Sequence, residues 1–189
     1  MFRKPLVPPS GDGYSLGMLE EHRAYDLFSV VDRNREHLRA WLPWVDATQT
    51  PDDSAAYIRS ALERIAHNQG RTAVMLHGRD IAGVIGTHAF DWLNRRAELG
   101  YWIAREHQGK GVVTEACRVV IHYLFEELAL HRVEIHCATG NDRSISVAKR
   151  LGFTEEGRLR ESLRLNARYH DRVVFAMLRQ DWPAAQPRP

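Results

Sequence analysis

The sequence predicts a mixed α+β domain, a mostly antiparallel sheet flanked by helices. Three observations carry this. Apolar residues recur at helical spacing in the N-terminal part, and the period shortens to strand-like alternation beyond Gly70. Near the middle, the glycine-containing run Gln108-Gly109-Lys110-Gly111-Val112-Val113-Thr114 joins a strand-like segment to a helix-like one.

The elements follow in order. From Glu20 to Arg39, apolar residues at Ala24, Leu27, Phe28, Val31 and Leu38 suit one or two amphipathic helices. Trp41-Leu42-Pro43-Trp44 ends that pattern, because a proline disfavours helix at the residue before it. Pro51-Asp52-Asp53-Ser54 opens another helix, running to about Asn68, with acidic residues in its first turn. Thr72 to His77 and Ile81 to His88 are β-rich runs around Gly78-Arg79-Asp80, which reads as a hairpin. A turn over Asp91 to Arg96 leads to a strand from Ala97 to Ala104. After the glycine run come a helix from Val112 to Glu127, a strand from Arg132 to Thr139, and a short helix from Ser144 to Leu151 that Gly152 closes. Leu159 to Leu165 and Val173 to Leu178 complete the sheet as an antiparallel pair. One domain is expected over residues 1–182, followed by a proline-rich, disordered tail at 183–189.

Composition narrows the function classes. A chain of 189 residues that is 44% hydrophobic can bury a substantial core. Lys and Arg (26) nearly balance Asp and Glu (24), so no long-range field favours nucleic acid or a membrane surface. Cys117 and Cys137 form neither a disulfide framework nor a metal-ligand spacing and read as buried free thiols. His131 and His136 lack the helical spacing of a zinc site and His170 lies far along the chain, so no metal is expected. No apolar stretch follows Arg3 and Lys4, and none reaches the length of a membrane span, so a cytoplasmic location is expected by default.

The glycine run carries the chemistry. Glycines at a strand-to-helix turn let the backbone approach a ligand, and the unpaired N–H groups of the first helical turn point at anionic oxygens. A nucleotide-like cofactor bound through phosphate is the natural ligand; the bland alternative is a tight turn before a helix. The run lacks the Gly-Lys-Ser/Thr ending of a P-loop, and no acidic ribose clamp follows at the dinucleotide spacing.

From about Tyr14 to Trp182 the chain resembles GNAT-type N-acetyltransferases, and within them the RimJ/RimL branch that acetylates ribosomal-protein N-termini. Gln108-x-x-Gly111-x-Val113 is similar to the family's Arg/Gln-x-x-Gly-x-Gly/Ala loop. Asn141-x-x-Ser144-x-x-Val147-Ala148-x-x-x-Gly152-Phe153 is similar to a second family motif, in the right order around a helix and a strand. Trp41-Leu42-Pro43-Trp44, Ala97 to Trp102 and Tyr169-His170-Asp171 resemble the branch less specifically. Val113 stands where many relatives have Gly or Ala, which leaves its N–H intact. Ala148 stands where many have a tyrosine general acid, and cannot act as one.

The resemblance implies a GNAT-like fold and acetyl-CoA as co-substrate, with its pyrophosphate over the N–H groups of Gln108, Gly109, Lys110, Gly111, Val112, Val113 and Thr114. Lys110 and Arg105 are candidates for charge-assisted phosphate contacts. It also implies a bulge near Tyr101, Trp102 and Ile103 that splays the strand and frees N–H groups for the thioester carbonyl; otherwise these are core residues. Ser144 is the candidate proton donor to the CoA thiolate, or else a helix cap. Glu98 is the candidate general base through water, or else an ion-pair partner of Arg95 or Arg96. Asn141 is a candidate pantetheine ligand or a cap, and Trp41, Trp44 and Tyr169 line the acceptor cleft or belong to the core. The implied reaction is acetyl transfer to a primary amine, first a protein N-terminus. The rivals are a small amine such as an amino acid, polyamine or toxin, and a non-catalytic acyl-CoA sensor. A homodimer is compatible with the branch.

Overall fold

The computed structural model describes residues 4–9, 11 and 13–182; the expected tail at 183–189 lies outside the described residues. The chain runs β1 (Lys4–Pro5), β2 (Tyr14–Met18), α1 (Ala24–Arg33), α2 (Arg35–Leu38), α3 (Pro51–Ala66), β3 (Thr72–His77), β4 (Asp80–Thr87) and β5 (Arg96–Ile103). It continues through α4 (Val112–Glu126), β6 (Arg132–Ala138), α5 (Asp142–Arg150), β7 (Thr154–Leu165) and β8 (Arg168–Leu178). The strands form one sheet in the order β1-β2-β3-β4-β5-β6-β8-β7. Each neighbouring pair is antiparallel except β5 with β6, which is parallel and joined by the crossover helix α4.

Strand alternation sorts the core onto two faces. Met75, Ala82, Ile85, Ala97, Leu99, Val133, Ile135 and Phe175 pack with Ala116, Ile121, Leu124 and Phe125 of α4. Val74, Leu76, Ile81 and Val84 point the other way and pack with Leu27 and Val30 of α1 and Ile58 and Ala61 of α3. Helix α3 starts where the sequence places it because Thr50 and Asp53 form a reciprocal capping box with Pro51 at the first helical position.

Three features differ from the sequence reading. Strand β2 is not predicted: it is five residues long, follows Gly13 and contains Gly17, and it is held by pairing to β3. Strands β7 and β8 extend well beyond the predicted runs, because their added residues are mostly charged and exposed and are fixed by backbone pairing, not by an apolar pattern. The expected bulge at Tyr101 to Ile103 is absent from the β4–β5 register, which runs unbroken from Gly83↔Ile103 to Thr87↔Leu99. Gly83 absorbs the close approach there instead, since a Cβ at that position would stand 2.3 Å from the Trp102 carbonyl oxygen. The splay itself is present: β5 and β6 pair only at Arg96↔Arg132, Ala97↔Val133 and Glu98↔Glu134.

Candidate functional site

The divergence of β5 from β6 sets the backbone of the site. The His88 N–H donates to Glu98 O (2.9 Å) and the Ala104 N–H donates to Ala82 O (2.8 Å). These bonds fix the phase of the ladder: Glu98, Gly100, Trp102 and Ala104 bond β4, and the N–H groups of Tyr101 and Ile103 turn into the gap that β6 has left. His37 of α2 reaches the same strand, with Nε2 3.2 Å from Ile103 O.

Across the gap stands the start of α5. The Asn141 side chain caps this helix by accepting the Ser144 N–H at 3.3 Å, so Asn141 is the cap and Ser144 is not. Ser144 Oγ lies 3.0 Å from the Tyr101 hydroxyl and accepts from Cys137 Sγ at 3.2 Å. Burial pushes the Tyr101 phenol well above its ordinary range, so it stays protonated as a donor. Either hydroxyl can donate between Tyr101 and Ser144 Oγ, and the Tyr101 hydroxyl can also donate to Ser144 O at 3.4 Å; when Tyr101 and Cys137 both donate into Oγ, the serine keeps its own hydrogen for a third partner. Ala148, one α5 turn on, is fully buried in the core. The phenol at this helix therefore comes from β5. Sequence reading missed it, because the contact joins residues far apart in the chain.

The glycine run lies where its spacing puts it. Gly109 (φ 73°) and Gly111 (φ 79°) both occupy the left-handed region, and Gly111 is the residue before α4. The space a Cβ would occupy at Gly109 is open, while at Gly111 it would meet Pro9 Cδ at 2.6 Å. The N–H groups of Val112, Val113 and Thr114 have no carbonyl four residues back within α4, the arrangement that suits an anion. Arg150 of α5 adds a cation that sequence reading did not single out, donating to Thr114 Oγ1 at 3.0 Å. Arg105, proposed for phosphate, instead lines a concavity with Arg33, Asn34 and His37, and its N–H donates to Asn34 Oδ1.

Glu98 stands on the sheet face opposite α4. Its neighbours are not Arg95 or Arg96: Oε2 lies 3.3 Å from His136 Nδ1 and Oε1 3.6 Å from His88 Nε2. Arg96 pairs with Asp91 and approaches Glu134. Burial pushes the Glu134 carboxyl upward, but hydrogen bonds from Arg132 and His136 outweigh it and hold the group below the usual range.

The aromatic candidates divide. Trp44 packs on Trp102 at 6.1 Å between ring centroids, and the Trp41 ring edge approaches Gly140. Tyr169 is 63% exposed on β8, opposite Arg164. The tip of the β7–β8 hairpin meets the segment around Arg39, where Asn166 Nδ2 donates to Arg39 O at 3.2 Å. A concavity of about 260 Å³ lies between them, lined by Arg39, Leu42, Pro43, Asp46, Arg164, Asn166 and Ala167, and so by none of the three aromatics. Among the described residues no group of side chains is arranged to hold a metal ion, and no helix is long and apolar enough to cross a membrane.

Residues 18–154 match the family model described as acetyltransferase (GNAT) domain. The chain is 38% identical over 169 residues to the "putative ribosomal N-acetyltransferase YdaF" of Bacillus subtilis (strain 168), covering 89% of this chain and 92% of that one. It is 33% identical over 143 residues to a spermidine N(1)-acetyltransferase of Vibrio cholerae serotype O1 (strain ATCC 39315 / El Tor Inaba N16961), covering 75% and 79%. The crystal structure of a probable acetyltransferase superposes with a TM-score of 0.86 at 36% identity, covering 96% of this chain and 99% of that one.

Proposed function

Because the chain belongs to the GNAT acetyltransferase family and is an acetyl-CoA-dependent N-acetyltransferase, we propose that its acceptor is a protein N-terminal α-amine of the ribosomal-protein type. The observation that carries this is the likeness to the putative ribosomal N-acetyltransferase of Bacillus subtilis, 38% identical over 169 residues, against 33% over 143 for the spermidine enzyme of Vibrio cholerae. The energetics agree. Deprotonating an α-amine of pKa about 7.8 at pH 7 costs about 1 kcal/mol, against about 4.6 kcal/mol for a lysine-like amine near 10.4. A carboxylate acting through water is matched to the smaller task.

Features of the loop and the gap support the cofactor reading. The open space at Gly109 and the free first-turn N–H groups of α4 suit the pyrophosphate, with Arg150 beside them. The N–H groups of Tyr101 and Ile103 face the gap where the pantetheine arm and thioester carbonyl belong, and the Asn141 amide retains its N–H donors after capping α5. Acetyl-CoA supplies an acetyl group activated as a thioester. Glu98 takes the proton of the incoming ammonium through water, and Ser144, backed by the Tyr101 hydroxyl, delivers a proton toward the departing sulfur. Trp41, Trp44 and Tyr169 border the acceptor approach in this reading.

Isotope-labelled acetyl-CoA incubated with the protein and a native cell extract tests it. Label at a protein N-terminus, identified by mass spectrometry, is the expected result. Label confined to small amines overturns the assignment in favour of the spermidine-type chemistry of the Vibrio cholerae relative.

A further inference from the structure

The sheet face opposite α4 carries a line of ionisable side chains that the reaction described above uses only at one end. Glu98 of β5, His136 and Glu134 of β6 stand in a row: His136 Nε2 is 2.8 Å from Glu134 Oε2, and His136 Nδ1 is 3.3 Å from Glu98 Oε2. The register explains the row. Glu98 and Glu134 are opposite each other in the last parallel pair, and His136 is the next residue on that face of β6, just past the point where β5 leaves. The imidazole thus stands at the vertex of the splay. Its side chain is 14% exposed and that of Glu134 11%, whereas Glu98, at 30%, still reaches solvent.

His136 Nδ1 is buried and makes no hydrogen bond. With Nε2–H donating to Glu134, a bare Nδ1 lone pair faces a carboxylate, which is unfavourable; one proton between the two atoms converts the contact into a hydrogen bond. Glu134 does not need His136 as its counter-ion. It already accepts from Arg132 Nε at 2.6 Å, with Arg96 Nη1 at 3.6 Å, and Arg132 continues to Glu156. His88 stands beside Glu98; from β8, Val174 lies opposite His136 and brings no charge, and Arg172, the next residue on that face, turns its guanidinium to Ser162 O at 3.3 Å. The arrangement places a ring nitrogen able to take a proton next to the base.

We propose that Glu98 and His136 form a proton relay for acetyl transfer, in which His136 and Glu134 are positioning residues acting through Glu98. This rests on the reading of Glu98 as the base. The acceptor ammonium gives a proton through water to the Glu98 carboxylate, and the proton moves on to His136 Nδ1. The electron pair left on the amine nitrogen forms the new N–C bond, the C–S bond breaks with its pair on sulfur, that sulfur takes its proton from Ser144, and the second proton lost by the nitrogen as it becomes an amide restores the Ser144 hydroxyl. Glu134 keeps hold of the Nε2–H throughout. After release of product the Nδ1 proton returns to solvent through Glu98.

The test is the pH profile of kcat at saturating acetyl-CoA and a peptide with a free α-amine, for the wild type, His136→Gln and Glu98→Gln. Glutamine keeps a donor toward Glu134, so His136→Gln removes the relay and leaves the anchor. The expected plateau kcat falls by about tenfold, the peptide KM stays unchanged, and the acidic limb moves to lower pH because a lone carboxylate then holds the proton. Wild-type kcat and an unmoved limb in His136→Gln overturn the relay. An unaltered profile in Glu98→Gln removes the base reading and the relay with it. A wild type that acetylates small amines but no peptide overturns only the acceptor assignment, and the same profiles are then run with the small amine. Should thermal unfolding show that His136→Gln does not fold, the ring nitrogens of His136 are followed by NMR in the wild type and in Glu98→Gln: a changed titration supports the relay, an identical one overturns it.

Discussion

Ser144→Ala removes the proposed proton donor, and the structure bounds how much that costs. A thiol with pKa near 8.5 is about 1.5 units from protonation at pH 7, or about 2 kcal/mol at 1.36 kcal/mol per unit. A donor that only supplies this proton is therefore worth at most about thirtyfold in kcat. Tyr101 sits behind Ser144 at 3.0 Å, so Tyr101→Phe should lower kcat by a smaller factor and lower stability by about 1 kcal/mol, the net worth of a neutral hydrogen bond. For a domain of this size that is a fall in Tm of about 2–4 °C. The two changes act on one chain of hydrogen bonds, so in the Ser144→Ala background Tyr101→Phe should leave kcat unchanged. Steady-state kinetics and thermal unfolding on the two single variants and the double variant make the cycle. Fully additive losses in kcat would refute the linkage, and a loss in Ser144→Ala well beyond about thirtyfold would show that Ser144 does more than protonate a thiolate.

Further changes probe other parts of the site. Gly109→Ala forces a side chain into the left-handed region at a cost of about 1–2 kcal/mol, and Gly111→Ala should cost clearly more because its Cβ also meets Pro9; equal losses in denaturant unfolding would contradict the packing at the loop. Arg150→Ala should raise the KM for acetyl-CoA by about fivefold with kcat nearly unchanged, the loss of one charge-assisted contact of about 1 kcal/mol, read from saturation curves. Glu134 has its folded-state pKa depressed, so its contribution is present above the unfolded value of about 4.3 and is lost as pH falls through the folded value. Tm should accordingly drop more steeply below that pH in the wild type than in Glu134→Gln, followed by circular dichroism.

Much of the fold was legible because it rests on local signals. The capping box at Thr50, the helical period of α4 and the hairpin at Gly78 each act within a few residues, and the elements form where those signals lie. The glycine run was legible for the same reason: Gly109 and Gly111 need their positive φ whatever surrounds them. The extent of β7 and β8 was not, because mostly exposed, charged residues such as Glu155, Arg158 and Arg160 carry no apolar pattern and are strands only through pairing. Among the candidate residues, Asn141 and Ser144 were found together, but which of them caps the helix required the backbone angles of α5.

The sequence by itself determined the order of elements from α1 onward, the anion-suited turn before α4 and the residue types available at the site, since propensity, capping and glycine conformation are properties of neighbours in the chain. Only the tertiary structure decided which distant groups meet. Tyr101 reaches Ser144 because β5 faces α5 across the gap, and His136 rather than an arginine stands beside Glu98 because parallel pairing stops at Glu134. The length of that pairing is set by how the sheet twists and packs between its two helical layers, which depends on contacts between residues far apart in the chain.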